Sequence, residues 1–154
     1  LLAAVETDMP IFFRGLSGML EQPLADAQLS PPADAHLPPP VAQALYEGAV
    51  VDTALRERWV AWFKLWHARG AASGASASER RRRMDAVNPR YLPRNYLAQQ
   101  AIDAATGGDP QPLAQLLAVL RRPYDEQPGY ESYAARRPEW ARHRAGCSAL
   151  SCSS

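Results

Sequence analysis

The sequence predicts an all-α chain, and three observations carry that reading. Apolar residues recur at three- and four-residue steps in several separate stretches, the period of one helix face. The 14 prolines are clustered between those stretches rather than scattered through them, so they punctuate helices. No stretch shows a sustained apolar–polar alternation of the kind a half-buried strand requires.

The elements follow in order. Residues 1–20 read as two helical pieces. The first runs from Leu1 to Glu6, and the second opens after Asp8, which can cap it, with Pro10 in its first turn. Ile11, Phe12, Phe13, Leu16, Met19 and Leu20 then form an apolar stripe. Residues 21–40 read as a surface linker, because Pro31-Pro32 and Pro38-Pro39-Pro40 favour an extended conformation. Residues 41–69 predict one long helix. Val51, Leu55, Trp59, Trp62, Phe63 and Trp66 share a face that serves either as core or as a stacking platform, and helical spacing favours core. That helix is expected to end near Gly70, with residues 71–78 as a connector.

Ser76-Ala77-Ser78-Glu79 matches a capping box and starts the next helix, which Asn88-Pro89 breaks. A further helix is expected from Arg94 to Thr106, closed by Gly107-Gly108 as a left-handed cap. Asp109 and Pro112 open another, with Leu113, Leu116, Leu117 and Leu120 as its apolar face and Pro123 beyond its end. Residues from Tyr124 to Trp140, rich in Pro, Tyr and charge, are expected to wrap over a surface. Residues 146–154 read as a flexible tail holding both cysteines, Cys147 and Cys152. The organisation is thus 1–20 helical, 21–40 linker, 41–145 helical, 146–154 tail. The opening Leu1, inside an apolar pattern, suggests that the chain continues from an upstream part.

Composition excludes several function classes. A net charge of +1 does not provide the concentrated basic surface of a nucleic-acid binder. No apolar run approaches the roughly 20 residues that span a bilayer, so neither nucleic acid nor membrane is expected as a partner, and a cytoplasmic location is the default. His36, His67 and His143 stand alone, and Cys147 and Cys152 lack metal-site spacing. No metal site and no phosphate loop is expected; Gly107-Gly108 lacks the P-loop lysine.

Two polar features remain. The run Arg80-Arg81-Arg82-Arg83 could contact an acidic partner as part of a stand-alone helical module. Four consecutive residues point round most of a helix, however, and Glu79 and Asp85 flank them, which favours a solvated face with internal ion pairs. The stretch around Asn88, Arg90, Arg94 and Asn95 reads as a structural corner. Asn95 is expected to satisfy free backbone groups at a helix start, and Arg90 or Arg94 to pair with a carboxylate. The other reading is contact with an upstream catalytic lobe.

The whole segment from Met84 to Ile102, MDAVNPRYLPRNYLAQQAI, closely resembles the C-terminal part of the selenoprotein O (YdiU) family. So do Phe12-Phe13-Arg14 with Leu16-Ser17, the stretch LRRPYDEQP from Leu120 to Pro128, Arg137-Pro138-Glu139-Trp140, and the ending Ser151-Cys152-Ser153-Ser154, all in the same order. The resemblance implies that this is the helical end of a protein-kinase-like fold. It implies an adenylyltransferase that uses ATP and Mg²⁺ to transfer AMP to Ser, Thr or Tyr hydroxyls of protein substrates. The family's nucleotide-binding, metal-binding and catalytic residues lie upstream of the matched part, so no residue here is assigned to them and the segment alone is expected to be inactive. Cys152 sits where animal members carry selenocysteine, which implies redox control through a disulfide to the catalytic lobe. Cys147 departs from the family pattern and is expected to offer a competing thiol.

Overall fold

In a computed structural model, residues 1–21 and 37–147 are described. The Pro31-Pro32 part of the expected linker, His36, and the tail with Cys152 lie outside the described residues. The described residues form six α-helices, with no strand beyond a single antiparallel bridge between Thr7 and Leu45. The chain divides into two compact units, Leu1–Asn88 and Pro89–Ser154.

The first unit begins with one 3₁₀ turn, Leu2–Ala4, shorter than the helix expected through Glu6. Helix α1, Met9–Met19, starts where the sequence indicates: Asp8 Oδ1 accepts from Ile11 N at 3.2 Å, and Pro10 occupies the first turn. Asp8 is buried, and its other oxygen accepts from Tyr46 Oη at 3.2 Å.

The expected extended run at residues 38–40 is corrected. Pro39 and Pro40 open a short helix, α2, Pro39–Ala44, because the first helical turn needs no N–H from its residues and proline's φ is already helical. Pro40, Val41 and Ala44 are buried. α2 packs across α1 at Gly15, where a Cβ would stand 3.0 Å from Pro40 Cβ, so any larger residue would push Pro40 back by a few tenths of an ångström.

The single helix expected over 41–69 is also corrected: it is two. After α2 the chain pairs briefly with residues 6–8, Asp8 N donating to the Ala44 carbonyl at 2.8 Å. It turns through Gly48, whose φ is +78°, and restarts at Asp52, which caps Leu55 N at 2.7 Å. Helix α3 is Thr53–Ala72. Val51 therefore precedes the helix it was expected to join. Leu55, Trp59, Val60 and Phe63 are buried, while Trp62 and Trp66 are half-buried and stack on each other at 6.3 Å and 13°. Phe12 meets Trp59 at 5.3 Å. These residues, with Leu16, Met19, Val41 and Ala44, make the core of the unit, so the tryptophan face is used mainly for packing.

Ser76 caps helix α4, Ala77–Val87, through Glu79 N at 3.1 Å. None of its residues is buried, and Val87 is 71% exposed.

In the second unit, helix α5 (Asn95–Thr106) packs against helix α6 (Gln111–Leu120). Gly108, at φ +91°, makes the left-handed step between them, and Asp109 Oδ1 accepts from Gln111 N at 3.0 Å. The core holds Tyr96, Leu97, Ala101, Leu116, Ala141 and Cys147. The leucine face expected on α6 is split: Leu116 is buried, while Leu113 and Leu117 are 41% and 50% exposed. Val119, on the adjoining stripe, takes an inward place instead.

Candidate functional site

In the first unit, the polar groups of two sequence motifs meet where α1 crosses α4. The Arg14 guanidinium, 13% exposed, lies 3.2 Å from Asp85 Oδ1 and donates to the carbonyls of Asp85 at 3.3 Å and Asn88 at 3.5 Å. Ser17 Oγ donates to Asp85 Oδ1 and lies 3.1 Å from the Arg14 carbonyl. Asp85 Oδ2 also faces Arg81 Nε at 3.6 Å. Arg14 thus neutralises the carboxylate and ties down two carbonyls at the C-terminal end of α4, groups that have no intrahelical partner. Asn88 completes the end by donating from Nδ2 to the Met84 carbonyl at 2.7 Å.

The arginine run divides around the helix. Arg81 pairs with Glu21, whose hydrogen bond and charge are the main causes raising the arginine's pKa above its ordinary value. Arg83 pairs with Glu79 one turn earlier. Arg80 folds back over Gly70, and Arg82 is exposed. No single cationic face collects all four.

In the second unit, the corner of residues 89–95 meets the stretch 120–128. The Pro123 carbonyl accepts from both Arg90 N, at 2.8 Å, and Tyr91 N, at 3.1 Å. Arg90 pairs with Glu126 at 2.9 Å. Gln127, 7% exposed, donates from Nε2 to the carbonyls of Val119 and Arg122 at 3.0 and 2.8 Å. Tyr91, fully buried, donates to the Gln127 carbonyl at 3.4 Å. The N-cap position of α5 is Arg94, which makes no side-chain capping bond, and Asn95 is exposed as the first helical residue. The expectation that Asn95 caps this helix is therefore corrected.

Trp140 of the Arg137–Trp140 element stands edge-on to Tyr96 at 6.3 Å and beneath Arg144, whose guanidinium is 5.7 Å from the ring centre. Arg144 in turn reaches Asp103 at 2.7 Å. Asp103 has a lowered pKa, first through the hydrogen bond donated by Gln99 Nε2 at 2.9 Å and then through Arg144.

Cys147 is a free thiol, 5% exposed, within the α5–α6 core. The competing thiol expected at Cys147 is thus buried, and in that apolar setting the side chain packs as a small hydrophobe. Among the described residues, no group of three His, Cys, Asp or Glu is placed to hold a metal ion. No described helix is long and apolar enough to cross a membrane. The signal that sequence reading missed is Gln127, whose burial beneath a proline-flanked turn leaves no periodicity to detect.

Comparison with known proteins gives a consistent result. No family model matches the chain. It is 50% identical over 153 residues to the protein nucleotidyltransferase YdiU of Azoarcus sp., covering 97% of this chain and 26% of that protein. It is 47% identical to the YdiU proteins of Aromatoleum aromaticum and Rhodopirellula baltica, covering all of this chain and 27% and 29% of those proteins. The chain thus spans little more than a quarter of the length of the curated relatives it matches. With identity sustained end to end, the chain is similar to one part of the proteins named YdiU, the selenoprotein O family.

Proposed function

We propose that this chain is the helical C-terminal part of a protein adenylyltransferase. The parent enzyme would move AMP from ATP, with Mg²⁺, to Ser, Thr or Tyr hydroxyls of proteins in the bacterial cytoplasm. The observation that carries this reading is identity of 47–50% across essentially the whole chain to proteins named nucleotidyltransferases. The chain's own part is structural. Arg14, Ser17, Asp85, Arg90 and Gln127, the polar residues of the shared motifs, are engaged with internal partners and none is arranged as an acid–base or nucleophile pair. Its partner would be a kinase-like lobe elsewhere in the parent protein, and Cys152 would supply redox control.

The test is transfer of label from α-phosphate-labelled ATP to protein. The full reading frame containing this chain is expected to label an acceptor protein, and the 154-residue chain alone is not. Labelling by neither sinks the family activity for this protein, and labelling by the chain alone sinks the structural role. In the full protein, Cys152→Ser is expected to abolish the response to oxidant while Cys147→Ser leaves it. A response that survives Cys152→Ser removes the redox assignment.

A further inference from the structure

The first unit contains a cavity of about 420 Å³ that none of the motif contacts uses. It lies between the ends of α1 and α3 and the middle of α4. Leu20, Trp66 and Met84 give it carbon walls, and Arg69, Arg80 and Arg83 line it as well. The volume falls within the range of small-molecule sites.

Its electrostatics are one-sided. Arg83 is matched by Glu79, but Arg69 and Arg80 form no ion pair among the described residues. Among the described residues the buried Arg80 Nε has no acceptor, an unfavourable state for a donor held away from water. Gly70 permits this arrangement: a Cβ there would collide with Arg80 Nη1, so glycine lets the tip of the guanidinium reach the end of α3. That end is the negative pole of the helix dipole, which Arg69 in the last turn offsets. Trp66, stacked on Trp62, brings an aromatic plane to the same cavity.

We propose that this cavity binds a small organic anion with a planar aromatic body, an aryl phosphate in its simplest form. Guanidinium groups match phosphate oxygens in a planar, two-pronged geometry. The tryptophan, leucine and methionine walls shelter a ring rather than a hydrated ion. A bare anion would leave the carbon walls exposed, and a neutral ring would leave Arg69 and Arg80 unmatched. The site is independent of the nucleotidyl-transfer reading, since it draws on none of the groups that reading invokes.

The test is calorimetric titration of the 154-residue chain with phenyl phosphate, with inorganic phosphate and phenol as its two halves. Saturable binding of phenyl phosphate at least about tenfold tighter than of either half is expected. Arg80→Gln is expected to weaken it by about tenfold or more, the loss of one charge-assisted contact, whereas the outward Arg82→Gln leaves it unchanged. Gly70→Ala, which displaces the Arg80 guanidinium without altering charge, is expected to weaken binding in the same direction, and it serves if Arg80→Gln proves unfolded by circular dichroism. AMP that binds more tightly than phenyl phosphate identifies a nucleotide as the natural source of the group; weaker AMP binding identifies a smaller aryl phosphate. Phenyl phosphate that binds no better than inorganic phosphate overturns the proposal. So does an equal loss in the Arg80 and Arg82 variants, which would mark a diffuse basic surface.

Discussion

Replacing Asp85 by alanine tests whether the α1–α4 corner holds the first unit together. The carboxylate accepts from Ser17, pairs with an Arg14 that is only 13% exposed, and faces Arg81 at the surface. Its removal takes away the carboxylate 3.2 Å from the Arg14 guanidinium. A hydrogen bond to a charged group contributes about 1.5–3 kcal/mol, and the 43%-exposed Arg81 pair adds under about 1 kcal/mol. Because Asp85 itself is 26% exposed, the expected loss is about 2–3 kcal/mol for Asp85→Ala. For Asp85→Asn it is about 1 kcal/mol, since the amide oxygen still accepts from Ser17. Urea unfolding followed by tryptophan fluorescence, with Trp140 replaced by Phe, reads this unit, because Trp59, Trp62 and Trp66 lie in it. With a slope of about 1 kcal/mol per molar urea, the midpoint should fall by about 2 M in Asp85→Ala. A shift below about 0.5 M refutes the reasoning. So does a double variant with Arg14→Ala whose cost equals the sum of the single ones, because contacting charges must couple.

Three further predictions concern the same framework. Gln127→Leu removes the donor that satisfies two carbonyls and should cost about 2–3 kcal/mol, lowering the melting temperature of the second unit by roughly 10 °C when read at Trp140; an unchanged melt would show those carbonyls satisfied otherwise. Gly15→Ala should destabilise by about 1–2 kcal/mol in urea even though alanine favours helix, because its Cβ meets the backbone of Pro40 at 3.1 Å. Asp103, with its pKa held below the ordinary 3.8 by Gln99 and then Arg144, adds stability that is present above that value. The contribution disappears as pH falls through the lowered one, so Asp103→Asn should lower the neutral plateau slightly and flatten the acid limb of a pH–stability curve, the two curves converging at low pH.

Three helix boundaries were the most legible part of the fold. Asp8, Ser76 and the Gly107-Gly108 step act locally, and each does in the structure what its neighbours in sequence imply. The break at residues 45–52 was not legible, because Leu45, Tyr46 and Val51 continue an apolar pattern while the pairing with residues 6–8 that interrupts the helix is made across the fold. Pro39 and Pro40 illustrate the same limit: a proline pair reads as extended or as a first helical turn, and burial against Gly15 decides. On α6 the periodicity was correct, but the packing partner selects which stripe is covered, so Leu116 and Val119 turn inward while Leu117 remains outside. The paired motifs were visible as strings. Their meeting, Arg14 on Asp85 and Gln127 beneath Tyr91, depends on separations of 71 and 36 residues that no local rule spans.

That separation has a consequence for synthesis. Ser17 leaves the ribosome 68 residues before Asp85, and Arg14 leaves it 74 residues before Asn88. At elongation rates of about 5–20 residues per second, α1 waits on the order of 3–15 s for its polar partners. During that interval Phe12 and Leu16 also lack Trp59 and Phe63, so an amphipathic helix with an uncovered aromatic face precedes the rest of the unit. The nascent chain is therefore most open to capture by chaperones between the emergence of α1 and that of α4, and slow codons placed across residues 21–52 would lengthen that exposure.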